Sequence, residues 1–130
     1  MIVVDASALA VALGDDGPDG ARVRERFRGH VLASPDLIDI EVIGIVRRAA
    51  TSGALSSGRA GQLLTDLADL PLQRVLTARY TAAVWPLTER FTVPEASYLG
   101  LAGALDTILI TADHRLAAIE GLPCQVELIS

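Results

Sequence analysis

The sequence predicts an α/β domain with a central, mainly parallel sheet of four to five strands and helices on both faces, three layers in all. Three observations predict it. Short apolar, β-rich runs alternate along the chain with longer segments of helical periodicity. Two of those runs, Ile2-Val3-Val4 and Thr107-Ile108-Leu109-Ile110-Thr111, show almost no polar alternation, as strands buried on both faces do. The chain has 130 residues, 51% of them hydrophobic, enough for one domain that hides about two thirds of its unfolded surface.

Each element follows in order. Ile2-Val3-Val4 is the first strand and ends in Asp5; Ser7 is placed to cap an Ala- and Leu-rich helix that stops at Gly14. Residues 15–20, all Asp, Gly and Pro, read as a loop, and residues 22–28 as an amphipathic helix. Residues 30–34 are the second strand. A helix follows over residues 35–50: Pro35 suits its first turn, Asp36 and Asp39 its positive end, Arg47 and Arg48 its negative end. A Gly- and Ser-rich turn over 51–58 leads to a helix through Leu63, Leu64, Leu67 and Leu70, then a strand over 72–77. Residues 78–91 read as helical despite Pro86, which would kink them. Another helix covers 92–104, a strand 107–111, a short helix 113–119 and a last strand 126–129. No repeat, low-complexity tract or linker divides the chain, so one domain over 1–130 is expected.

Composition removes several function classes. No apolar run approaches the roughly 20 residues that cross a bilayer, and Asp5 comes too early for a signal peptide. The chain reads as cytoplasmic. One cysteine, Cys124, excludes an internal disulfide and a cysteine-rich zinc site. The net charge of −5 makes binding nucleic acid by overall charge unfavourable, so any such grip must be local. All 11 basic residues are arginine. Without lysine, the phosphotransfer chemistry of receiver-like domains lacks its usual cation. A dehalogenase-like phosphatase would want a second aspartate where Ser7 stands, and no Gly-rich turn follows the first strand for a dinucleotide or P-loop site. His30 and His114 form no evident hydrolase triad.

Acidic residues in unusual settings remain. Asp5 and Asp113 each follow an apolar strand, at the end where parallel sheets bind ligands, although each also suits a helix start. Two such strands are expected to be central and adjacent, bringing the carboxylates together. Glu41 lies in Leu37-Ile38-Asp39-Ile40-Glu41-Val42-Ile43-Gly44-Ile45-Val46, where apolar residues take nearly every helical face. Burying that carboxylate costs several kcal/mol unless a metal, a hydrogen bond or an arginine such as Arg48 compensates. Glu95 ends Thr92-Val93-Pro94-Glu95, a capping box that uses the glutamate locally. Four acids in one pocket would need a cation, and all-oxygen ligands select Mg²⁺ or Mn²⁺. Such an ion makes an acidic pocket compatible with a phosphodiester.

Ile2-Val3-Val4-Asp5-Ala6-Ser7-Ala8-Leu9 resembles the opening of PIN-domain proteins, specifically VapC-type toxins of bacterial toxin–antitoxin pairs. The segment around Glu41 with Arg47-Arg48 resembles their second acidic motif. Pro94-Glu95-Ala96-Ser97-Tyr98-Leu99-Gly100-Leu101-Ala102 is similar to the third, and Leu109-Ile110-Thr111-Ala112-Asp113-His114-Arg115-Leu116 to the fourth. The resemblance spans nearly the whole chain. It implies a PIN-like sheet of four or five parallel strands and a Mg²⁺- or Mn²⁺-dependent endoribonuclease that cuts structured RNA (tRNA or rRNA). It also implies inhibition by a cognate VapB-like antitoxin and a homodimer. Asp5, Glu41, Glu95 and Asp113 would then be the catalytic, metal-binding quartet, with Ser7 supporting the first aspartate and Thr111 a second candidate for that role. Arg115 is placed either for a substrate phosphate or for a salt bridge to Asp113 or Glu120. The lone Trp85 suits the core or an apolar groove for the antitoxin. The sequence departs from the pattern twice: Glu95 stands where aspartate is usual, and Gly44 where many relatives carry asparagine. A non-catalytic PIN-like module that binds RNA or a partner is the rival reading.

Overall fold

The computed structural model describes residues 1–129. Five strands, β1 (Ile2–Val4), β2 (Leu32–Pro35), β3 (Gln73–Val75), β4 (Leu109–Thr111) and β5 (Val126–Leu128), form one sheet in the order β3-β2-β1-β4-β5. Every pairing is parallel. The two apolar runs are neighbours at its centre, Val3 against Leu109 and Val4 against Ile110. All four side chains are fully buried.

Parallel strands need crossovers, and helices supply them. Between β1 and β2 lie α1 (Ala6–Gly14) and α2 (Pro18–Phe27); between β2 and β3, α3 (Ile38–Ser52) and α4 (Ser57–Asp69). Between β3 and β4 lie α5 (Thr81–Val84) and α6 (Val93–Ala104), and α7 (His114–Ala117) precedes β5. The first two crossovers step one way across the sheet and the third steps back. Right-handed connections therefore put α1–α4 on one face and α6 on the other. Accordingly, α1 packs on α2, α3 and α4, while α6 lies against β1, β2, β4 and α5. Residues 96–102 of α6 are all buried, which explains a helix sequence with no polar stripe. Gly100 permits this close packing: a Cβ there would lie 3.0 Å from Val84 Cγ2 and 3.2 Å from the Ala83 carbonyl oxygen.

The direction of winding reverses between β1 and β4. A crevice opens beyond the carboxyl ends of strands at such a point. Among the described residues no helix is long and apolar enough to cross a membrane.

Several boundaries differ from expectation. Helix α2 begins at Pro18, inside the expected loop, because proline fits the first helical position. Pro35 closes β2 instead of opening α3. Its missing N–H costs no ladder bond there, since the β1–β2 register ends at Ala33. Residues 78–91 are not one helix: a 3₁₀ turn (Thr77–Arg79), α5 and a second 3₁₀ segment (Trp85–Glu89) replace it. Pro86 cannot donate to the preceding turn, so the α ladder stops.

Candidate active site

Asp5 caps α1, the role the sequence suggested for Ser7. Its Oδ1 accepts from the Ala8 N–H at 2.9 Å and from Ser7 Oγ at 2.6 Å, and its Oδ2 accepts from Thr111 Oγ1. Both hydroxyls also receive backbone bonds from the segment after β4: Ala112 N–H donates to Ser7 at 3.0 Å and Asp113 N–H to Thr111 at 3.0 Å. The ends of β1 and β4 are thus laced together around one carboxylate. Burial pushes the Asp5 carboxyl above its ordinary pKa. Ser7, Thr111 and the Ala8 N–H pull it down, and Asp113 adds to the rise. Ser7 and Thr111 both reach Asp5 as the sequence suggested, and Thr111 is the fully buried member of the pair.

Asp113 is both a strand-end acid and a helix cap. Its Oδ1 accepts from the Arg115 and Leu116 N–H groups at 2.9 and 3.4 Å. Its Oδ2 lies 3.6 Å from Arg115 Nη2. The same guanidinium donates to Glu95 Oε1, so Arg115 bridges Glu95 and Asp113 and not Glu120. Glu95 also completes the capping box, its Oε2 accepting from the Thr92 N–H at 3.3 Å and its own N–H donating to Thr92 Oγ1 at 3.3 Å.

Glu41 stands half-buried on α3. Its partner is Tyr98, whose hydroxyl donates to Oε1 at 2.6 Å. Sequence reasoning missed this residue; the only available signal was one aromatic among the small and aliphatic residues of α6. Tyr98 is 4% exposed. Burial, and then the Glu41 carboxylate, push its phenol far above the usual range, so it stays protonated and donating. Among the described residues Glu41 Oε2 has no hydrogen-bond partner, and Arg48 does not pair with Glu41.

All four acids line one cavity of about 550 Å³, with Ser7, Gly44, Arg48 and Tyr98 in its wall. Among the described residues no three acidic, His or Cys side chains close around a single point as a ligand cage. The donors nevertheless suit a hard divalent ion: they are carboxylate oxygens throughout, Asp5 is held rigidly, and Glu41 keeps one oxygen free. Asp113 and Glu95 are each engaged by Arg115 and by a helix cap, so that guanidinium shares the cavity wall with both carboxylates.

Most arginines elsewhere serve the fold. On α2, Arg26 pairs with Glu127 and Arg24 donates to the Ala12 and Asp15 carbonyls, while Arg28 at its C-cap pairs with Glu25, so this helix presents no continuous basic face. Trp85 lies at the surface, 77% exposed.

No family model matches the chain. It is 36% identical over 130 residues to Ribonuclease VapC12 of Mycobacterium tuberculosis, covering all of both proteins. It is 37% identical over 128 residues to Ribonuclease VapC1 of the same species, covering 98% of this chain and 96% of that one. Among solved structures it resembles M. tuberculosis VapC20, described as a sarcin–ricin loop cleaving toxin. That likeness has a TM-score of 0.69 at 11% identity, over 96% of this chain and 99% of the other. It also resembles VapBC2 of Rickettsia felis, solved bound to a DNA fragment from its promoter, with a TM-score of 0.67 at 13% identity over the full length of both. At such identities the two structures bear on the fold alone.

Proposed function

The chain belongs to the VapC ribonucleases, of PIN-domain fold, and from that premise we propose that it is a metal-dependent endoribonuclease toxin hydrolysing phosphodiester bonds in structured RNA, tRNA or rRNA. One observation carries the reading: Asp5, Glu41, Glu95 and Asp113, drawn from four distant segments, line a single cavity at the point where the sheet reverses its winding. Asp5, Glu41, Glu95 and Asp113 would together hold Mg²⁺ or Mn²⁺. When bound, that ion supplies the positive charge that accepts a phosphate and lowers the pKa of a water.

The chain's own residues prepare this chemistry. Ser7, Thr111 and the Ala8 N–H hold Asp5 in one rotamer, so its position costs little reorganisation. Tyr98 orients Glu41 as a permanent donor to Oε1. Such hydrogen-bonding partners matter nearly as much as the ligands they orient.

A VapB-like antitoxin that inhibits cleavage, and a homodimer, belong to the same reading. Ile40, Ile43 and Trp85, apolar side chains left at the surface, support a protein partner.

The test is cleavage of total tRNA by antitoxin-free protein with Mg²⁺ or Mn²⁺, against the same reaction in EDTA. Asp5→Asn should lose on the order of 10³-fold in rate, about 4 kcal/mol of transition-state stabilisation. Intact RNA in every metal, or equal cutting by Asp5→Asn, would leave only a binding module.

A further inference from the structure

An acidic chain that cuts RNA must present positive charge beside its carboxylates, and the structure restricts where. Arg115, the arginine nearest the fourth acid, is held by Glu95 and Asp113. Most other arginines are tied to carboxylates or carbonyls on the protein itself. Among the described residues Arg47, Arg48 and Arg79 hold no ion pair or hydrogen bond. Of these three, Arg48 alone lines the cavity.

Its place follows from helix geometry. Glu41, Gly44, Ile45 and Arg48 lie three, four and seven residues apart, one stripe of α3, and all four face the cavity. Side chains on a helix lean toward its N-terminus, so Arg48 is directed back over Gly44 toward Glu41. A Cβ on Gly44 would accordingly stand 3.6 Å from Arg48 Nη1. A glycine inside a helix has a low intrinsic propensity, and Gly44 does not adopt the positive φ that would require one. What it leaves is room. A longer side chain at that position would take the space the guanidinium occupies.

We propose that Arg48 is the RNA-binding cation of this site, contacting a backbone phosphate beside the scissile one, and that Gly44 is the gap that lets it lie there. The inference rests on the ribonuclease reading. Arginine suits the task because its planar fork matches two phosphate oxygens and is always charged. Arg48 is exposed, so its replacement leaves the core untouched.

The test measures binding of a fluorescent single-stranded RNA oligonucleotide and of total tRNA in the full-length Asp5→Asn background, with salt varied, beside steady-state cleavage in otherwise wild-type protein. Arg48→Gln should weaken RNA binding about tenfold, raise KM more than it lowers kcat, and make the salt slope shallower by roughly 0.7. Its Mn²⁺ affinity by calorimetry should equal that of wild type. Gly44→Leu should weaken RNA binding comparably, and the double variant should be no worse than Arg48→Gln alone. Unchanged RNA affinity and salt slope in Arg48→Gln overturn the proposal, as does a loss confined to Arg115→Gln. Wild-type protein that binds and cuts RNA while Arg48→Gln matches it defeats only this inference; protein that neither binds nor cuts RNA defeats the ribonuclease reading as well.

Discussion

Thr111 Oγ1 donates to Asp5 Oδ2, joining residues 106 positions apart in the chain. The bond exists because β1 and β4 are parallel neighbours in register, Val4 beside Ile110, so that the residues after them emerge side by side. Thr111 also accepts from the Asp113 N–H, so one hydroxyl sets the positions of two acids.

Thr111→Val keeps the shape and β preference of the side chain but removes the hydroxyl. It should cost about 1–3 kcal/mol in stability, because the Asp113 N–H loses its acceptor. Cleavage should fall roughly 10–100-fold through misplacement of Asp5. Urea unfolding and tRNA cleavage on the same preparation measure both; wild-type activity would show that the hydroxyl only holds the fold.

Burial of Asp5 gives a pH dependence of known sign. Its carboxyl binds a proton more readily folded than unfolded, so between the ordinary and the raised value folding takes up a proton. In metal-free protein this contribution to stability is greatest below that window, falls as pH rises through it, and is level above it. The difference between wild-type and Asp5→Asn unfolding curves across acid to neutral pH isolates the effect. Parallel curves would mean that Asp5 titrates normally.

Tyr98→Phe removes one hydroxyl from a buried ring and leaves the packing intact. Mn²⁺ affinity should fall about 10–100-fold, while the melting temperature changes little. Calorimetry and thermal unfolding separate the two quantities. Unaltered affinity would reduce Tyr98 to a packing residue.

Glu95 has two local duties, a cap and an ion pair, besides its proposed place among the acids. Glu95→Gln keeps the capping box and loses the charge; Glu95→Ala loses both. Stability should therefore drop by about 1 kcal/mol in the alanine variant and by less than about 0.5 kcal/mol in the glutamine variant. Cleavage should fall in both. Full activity in Glu95→Gln would assign Glu95 to the cap alone.

Much of the fold was legible in residues. Apolar runs without alternation, Ile2-Val3-Val4 above all, marked strands covered on both faces, and they proved to be neighbours at the centre. The four acids were legible as residues in unusual settings and by family resemblance, and they do share a cavity. Less legible were boundaries near proline. Pro18 starts a helix, Pro35 ends a strand and Pro86 breaks a segment. Each fits the local rules for proline, and only the neighbouring chain selects among them. Local pattern likewise favoured Ser7 as a cap, because serine is a good one; Asp5 won the role since its carboxylate is already fixed at the helix entrance by Thr111.

The sequence by itself determined the parallel α/β class, the apolar strands that form its centre, and which acids were candidates for chemistry. Those properties depend on periodicity and residue type along the chain. Only the tertiary structure decided the pairs: Tyr98 on Glu41, Thr111 on Asp5, Arg115 on Glu95, and Arg48 in the cavity wall, without an ion pair among the described residues. The reason is physical. Hydrogen bonds and ion pairs act over a few ångströms in space, and the separation of their partners along the chain is set by strand order and helix packing, not by any local preference.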